Sequence, residues 1–335
     1  MLTTIDTEVW SNRYRRAAID VVGRRLLVTN FRGTAQEADL SEPPNCNGFG
    51  RVHHFRLGDG SRWPKNPLPI EPACRALNLP SCTEIRAQVF QNAVCNWRCW
   101  YCFVPFSLLN ANPRHSSWLS PEQLIDLYVG EEKPPPIIDL SGGQPDLTPE
   151  WVPWIMTELE RRGLSERVYL WSDDNLSNDY SFQYLSSAER EYIKRYPKYG
   201  RVACFKGIDE ESFAFNTAAD KKLFGEQFNL FRRLVELDLD IYAYVTLTTP
   251  NRESAESSLR SFIDRLQAIH PLLPLRTVPL EILPFTPVSG RLQKDHQQAI
   301  ENQYLVAGAW RDELNRRFVP SLRAQNICDI RIKLD

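Results

Sequence analysis

Long apolar runs are missing from this 335-residue chain: no stretch of about eighteen apolar residues occurs, so no membrane-crossing helix is expected. The opening MLTTIDTEVWSNRYRR contains no continuous apolar segment of the kind a secretory leader needs, and the expectation is a cytoplasmic protein. Charge of one sign is also missing. A formal net charge of -2 from interspersed acidic and basic residues gives no chain-wide field to attract nucleic acid or an anionic membrane. No Gly/Ser-rich or charged linker divides the chain, no internal repeat stands out, and the only low-complexity hint is Pro134, Pro135 and Pro136. The arginines at 13, 15, 16, 24 and 25 read as a solvated helix surface.

What is present is 42% hydrophobic and 24% charged residues, enough for one large core or a core with a smaller appendage. Eight cysteines in a chain of this length, three clustered and five scattered, do not resemble a small disulfide framework. In a reducing compartment, clustered thiols point to metal.

From residue 86 onward, short apolar runs alternate with longer helical ones, the pattern of parallel strands joined by crossover helices. The strand candidates are EIRAQVFQ, PIIDLSGG, RVYLWS, RVACFK, DIYAYVTLT and VPLEILPF. Ser120-Pro-Glu-Gln predicts a helix start with Gln123 as capping partner, and Thr148-Pro149-Glu150 predicts a second. Six such units predict a partial (β/α)6 parallel barrel over residues 86–335, ending in a C-terminal helix. Its chemistry is expected where the strands' carboxyl ends meet their loops. Residues 1–85 are rich in proline and glycine turns with one clear strand, RRLLVTNF, and read as an irregular extension capping the barrel.

The stretch QNAVCNWRCWYCFVPF follows the first strand and holds Cys95, Cys99 and Cys102. Three sulfurs are one fewer than a closed metal site or a fully ligated cluster takes. A cubane held by three thiolates keeps one iron open, able to chelate an amine and a carboxylate of a small molecule. A closed zinc site completed by Cys82 or His115 is the alternative. Cys46, His53, His54, Cys74 and Cys82 have no spacing that marks a second metal site, and Cys328 stands alone, so no multi-cysteine tail is present.

The spacing Cys-x3-Cys-x2-Cys, with Tyr101 before the last cysteine, resembles that of the radical S-adenosylmethionine enzymes. Gly142-Gly143-Gln144-Pro145, at the end of the second strand, is similar to that family's Gly-Gly-Glu-Pro loop, with Gln144 in place of the commoner glutamate. The resemblance spans roughly residues 86 to 290. It implies a [4Fe-4S] cluster on the three cysteines and S-adenosyl-L-methionine on the open iron, its methionine end positioned by Tyr101, Gly142, Gly143, Gln144 and Pro145.

Three further stretches resemble the glycyl-radical (pyruvate formate-lyase) activating branch. WSDDN suggests Ser172 and Asp173 as partners of the ribose, and CFKGIDEESFAFNT places Lys206 on a conserved-type lysine with Cys204 where that branch has aspartate. EILPFTPVSG carries Thr286 where the branch has histidine. The resemblance implies a 5'-deoxyadenosyl radical that abstracts hydrogen from a small-molecule or peptide substrate, with reduced flavodoxin or ferredoxin as electron donor. Two alternatives stay open: an activase of a glycyl radical enzyme, and a non-catalytic zinc or iron-sulfur scaffold.

Overall fold

In the computed structural model, which describes residues 4–334, ten strands form two sheets. The strands are β1 (Ile19–Asp20), β2 (Arg25–Thr29), β3 (Gly50–Arg56), β4 (Glu84–Phe90), β5 (Ser116–Leu119), β6 (Ile137–Leu140), β7 (Tyr169–Asp174), β8 (Tyr199–Phe205), β9 (Ile241–Thr246) and β10 (Thr277–Leu280). The helices used below are α1 (Thr7–Ala18), α2 (Ile70–Ala76), α3 (Pro121–Val129) and α4 (Trp151–Arg161), then α5 (Tyr180–Gln183), α6 (Ser187–Arg195), α7 (Glu210–Thr217), α8 (Leu223–Glu236), α9 (Ala255–Ile269), α10 (Thr286–Ser289) and α11 (Lys294–Arg317).

The main sheet is a curled half-barrel with strand order β10-β9-β8-β7-β6-β4-β3. Strands β4 and β6 to β10 run parallel, each followed by helical chain, and β3 closes the far edge antiparallel to β4. All six sequence-predicted strands lie in this sheet because parallel strands are buried on both faces and therefore read as apolar runs. One face, with Ile138, Leu140, Leu170, Ala203, Phe205, Ala243 and Val245, packs under α4, α8 and α9. The other face points inward and carries Ala87, Ile137, Tyr169, Trp171, Val202, Cys204, Tyr242, Tyr244 and Val278. Leu68, Ile70, Ala73 and Cys74, from the chain entering and forming α2, fill much of that interior.

Helix α3 starts as the sequence predicts: the Ser120 hydroxyl accepts from the Gln123 amide, and the Gln123 side chain accepts from the Ser120 amide. Thr148 does not cap α4. Its hydroxyl donates to the Pro145 carbonyl and accepts from the Asn92 side chain, and α4 begins at Trp151 without a side-chain cap.

Residues before 85 are more regular than expected. Besides β2 they form α1, β1 and β3, with β2 sandwiched between β1 and β5 in a small antiparallel sheet. Strand β3, GRVHHFR, escapes a hydropathy reading because an edge strand keeps polar side chains toward solvent. Arg15, expected on a solvated surface, is instead buried, paired with Glu150 and donating to the Leu147 carbonyl at 3.1 Å. The extension reaches across the open sheet: Trp63 Nε1 donates to the Pro279 carbonyl at 3.0 Å and Asn66 Nδ2 to the Tyr244 hydroxyl at 3.2 Å. No helix among the described residues is long and apolar enough to cross a membrane.

His54 on β3 ties the extension to the sheet, with Nδ1 2.7 Å from Glu84 and Nε2 2.6 Å from Glu42. Hydrogen bonds to Glu84 and then Glu42 raise its pKa above the ordinary 6.5. The contribution is therefore complete below about pH 6.5 and is lost as pH rises through the raised pKa. His54→Gln should remove this slope, lowering stability at pH 6 by up to about 1 kcal/mol and leaving it unchanged near pH 9, as read from urea denaturation.

Candidate functional site

The loop after β4 carries the three cysteines without forming regular structure, so its backbone must find partners elsewhere. Cys95 N donates to the Leu109 carbonyl at 3.1 Å, Arg98 N to Thr217 and Trp100 N to Asn216, both at 3.2 Å. Two guanidinium groups collect the carbonyls. Arg98, buried in the loop, donates to the carbonyls of Cys95 (2.6 Å), Trp97 (2.8 Å) and Leu109 (3.1 Å) and to the Tyr14 hydroxyl (2.8 Å). Arg291, between α10 and α11, donates to the Cys102 carbonyl at 2.5 Å. Trp97 is core, edge-on to Phe213, whereas Trp100 stacks on His296 with ring centres 4.5 Å apart.

The double-glycine turn after β6 lies directly on this loop. Gln144 N donates to the Val94 carbonyl at 2.8 Å. Gly142 and Gly143 have φ of 83° and 64°, and a Cβ on Gly143 would stand 2.4 Å from the carbonyl oxygens of both Asn92 and Val94. Only glycine allows the two backbones this approach. The Gln144 side chain points away from the mouth: Nε2 donates to Asp174 at 2.8 Å and Oε1 accepts from Asn175 N at 3.0 Å. Pro145 opens a short turn behind it.

Strand alternation sorts the remaining predicted residues. Asp173 shares the inward face with Trp171 and accepts from the Ser141 hydroxyl at 2.5 Å. Ser172 faces the helix layer, 1% exposed and 2.7 Å from the Tyr199 hydroxyl, so the structure does not bring it together with Asp173. Lys206, following β8, is surrounded by Cys204, Tyr101 and Cys99; burial works against its charge, but these neighbours hold its pKa well above the usual value. Burial pushes the Cys99 thiol up to about 12 against the pull of Lys206, with Cys102 and Cys95 adding to the rise. The Tyr101 hydroxyl lies 3.5 Å from Thr246 Oγ1. Cys95, Cys99, Cys102, Tyr101, the glycine turn, Asp173 and Lys206 thus belong to one mouth.

The residues missed by sequence reading are mostly arginines. Arg98 and Arg291 carry no spacing signal because they act on backbone carbonyls, which every residue supplies. Asn175 does lie in the WSDDN turn, and its Nδ2 points toward Cys95 Sγ at 3.9 Å. Thr286 is taken up by Asp39, which accepts from its amide and from its hydroxyl at 2.7 Å, and so gives the activase reading no support.

The scattered cysteines and histidines do not gather. Cys74 and Cys82 sulfurs are 3.2 Å apart, Cys46 N donates to Glu131, and His53 lies edge-on to Phe55. Among the described residues, no three His, Cys, Asp or Glu side chains come close enough to share a single metal ion. Cys82 lies against Cys74, not beside the mouth cysteines. The three mouth thiols are near enough to raise one another's pKa.

No known protein-family profile matches the chain, and neither does any curated protein. Among solved structures, it is similar to SuiB from Streptococcus suis bound to S-adenosylmethionine (TM-score 0.37, 13% identity, 53% of this chain and 36% of that one). It is also similar to native anSMEcpe with bound AdoMet (TM-score 0.36, 15% identity, 52% and 47%) and to anSMEcpe with AdoMet and the Cp18Cys peptide (TM-score 0.35, 12% identity, 52% and 45%). The overlap spans less than half the length of each of these proteins.

Behind the glycine turn, Arg201 is buried between Asp146 and Asp174, and Asp174 in turn holds Gln144. Arg201→Met should cost about 3–5 kcal/mol in urea denaturation because two buried carboxylates lose their counter-charge. Gly143→Ala should cost roughly 1–3 kcal/mol in the same assay, through displacement of the turn from the cysteine loop.

Proposed function

We propose that the chain is a radical S-adenosylmethionine enzyme. The observation that carries this reading is the direct backbone contact between the three-cysteine loop and the double-glycine turn, made at the mouth where the parallel strands end. Cys95, Cys99 and Cys102 would hold a [4Fe-4S] cluster. When bound and reduced, such a cluster supplies the electron that splits S-adenosylmethionine into methionine and a 5'-deoxyadenosyl radical, which takes hydrogen from a small-molecule or peptide substrate.

The protein's own contributions follow from the geometry. Arg98 and Arg291 fix the loop by its carbonyls, and the Asn175 amide directs its N–H toward the Cys95 sulfur, a contact that raises cluster potential. Gly142, Gly143 and Pro145 offer backbone to the methionine end beside Tyr101. Gln144 acts through its backbone and through its bond to Asp174, not as an acceptor for the ammonium. Asp173 and Lys206 face the interior, where the adenosine end would lie. Buried Trp100 and Trp171, with the half-buried Tyr101 and Phe103, would keep water and bulk oxidants from a radical. Reduced flavodoxin or ferredoxin is the proposed donor and the cytoplasm the proposed compartment.

Anaerobic reconstitution with iron and sulfide, reduction with dithionite and quantification of 5'-deoxyadenosine test the reading. Wild type should bind four irons and release 5'-deoxyadenosine, and Cys99→Ala should lose both. Arg291→Ala should retain the fold by circular dichroism but bind less iron. A fully loaded wild-type cluster that leaves S-adenosylmethionine intact, with and without added substrates, would refute the proposal.

A further inference from the structure

Strand β3 places an arginine inside the half-barrel that the parallel strands alone would not supply. The register aligns Arg51 with Val89 and Val89 with Asp139, so the three side chains lie in one row on the same face. That face is the interior one, because Ala87 and Ile137, two residues away on their strands, belong to the interior cluster. Arg51 and Asp139 are two strand spacings apart, about 10 Å between backbones. The Arg51 guanidinium lies 5.3 Å from the ring of Phe103, adjacent to Cys102.

Both groups are deeply buried, Arg51 at 7% and Asp139 at 3% exposure, yet Arg51 Nε and Asp139 Oδ1 have no hydrogen-bond partner. Burial and then the Asp173 carboxylate push the Asp139 pKa well above its usual value, while burial works against the Arg51 charge; each of the two opposes the other's shift without contact. Desolvating a guanidinium and a carboxylate costs several kcal/mol per ion unless hydrogen bonds replace the lost water. Elsewhere this chain gives its buried guanidinium groups direct partners: Arg201 touches two carboxylates, although its Nε also lacks a partner, and Arg98 donates to three carbonyls and the Tyr14 hydroxyl. The nearby charges are already engaged, Asp173 by Ser141 and Lys206 by Cys204 and its neighbours.

We propose that Arg51 and Asp139 form a clamp for the zwitterionic head of a free α-amino acid substrate, the guanidinium holding its carboxylate and the aspartate its ammonium. The guanidinium fork suits a carboxylate in two-bond geometry, and a single carboxylate oxygen suffices for an ammonium. Trp171, Val202 and Tyr244 on the same face offer an apolar and aromatic surface for the side chain. The clamp lies deeper in the barrel than the glycine turn, since Asp139 is within β6, which ends at Leu140 before Ser141 and Gly142. It rests on the proposed radical reading only for the fate of the ligand, not for its binding.

The test is thermal protection of the anaerobically reconstituted protein by the twenty free L-amino acids, their N-acetyl and methyl-ester forms, and S-adenosylmethionine in parallel. At least one free amino acid should protect wild type while its two blocked forms do not. Arg51→Met and Asp139→Asn should each weaken that binding about 30-fold or more, the loss expected when one partner of a buried charged contact is removed. S-adenosylmethionine should protect both variants as it does wild type. The double variant, which buries no unpaired charge, should fold and still fail to bind. Absence of protection by every free amino acid, equal protection by blocked forms, or loss of S-adenosylmethionine binding in the single variants would each overturn the clamp, the last by assigning the pair to the cosubstrate. Protection without any 5'-deoxyadenosine release would keep the clamp and remove the radical reading.

Discussion

Burying irregular backbone is the constraint on which the site depends. A loop that must bring three thiols to one place cannot form a helix or a strand, and each of its amides and carbonyls loses water when the barrel forms. The chain meets this with two arginines from opposite ends of the sequence order, Arg98 within the loop and Arg291 beyond the last strand, and with the carbonyls of Leu109, Asn216 and Thr217. Guanidinium suits the task because its fixed fork can bind several carbonyls at once and stays charged at any physiological pH. Gly143 completes the arrangement by allowing a second loop to lie on the first with backbone against backbone.

Alternation along the strands then divides polar residues between two duties. On β7, Ser172 and Asp174 turn to the helix layer, where Tyr199, Arg201 and Gln144 bind them, while Trp171 and Asp173 face the interior. One strand end thus supports the glycine turn from behind and supplies the mouth from within. The buried ion pairs behind the turn add little net stability compared with apolar replacements, but they fix one geometry, since moving Asp174 strands both Arg201 and Gln144.

Much of this was legible. The six parallel strands were readable as apolar runs, α3 as a capping box, and the three cysteines with Gly142 and Gly143 as a joined pattern. Three features were not. The WSDDN turn motif pairs Ser172 with Asp173 by position, but the two-residue period of β7 sets them on opposite faces. Strand β3 was hidden because its partner surface is an edge, and RVHHFR has no apolar alternation to announce it. Thr148 looked like a helix cap because Thr-Pro-Glu favours one, yet the buried Asn92 amide beside it was a stronger claimant for its hydroxyl. For Thr148, tertiary contact overrides a local capping preference worth only about 1 kcal/mol.

The extension has a mechanical consequence for how the interior is reached. A half-barrel leaves its first and last strands unpaired with each other, and here the segment between β3 and β4 crosses that gap, bonding Pro279 and Tyr244 through Trp63 and Asn66. Asp39 holds the far loop at Thr286, and Arg62 donates to Tyr304 on α11 at 2.8 Å. The same segment fills the interior toward the amino ends of the strands with Leu68, Ile70 and Ala73. The interior there is filled with apolar side chains, while the contacts at Thr286 and Tyr304 are exposed polar bonds of modest strength. Those exposed bonds are the weaker part of the strap, so on the proposed reading a ligand would enter at the mouth beside them, on the side of the last strand.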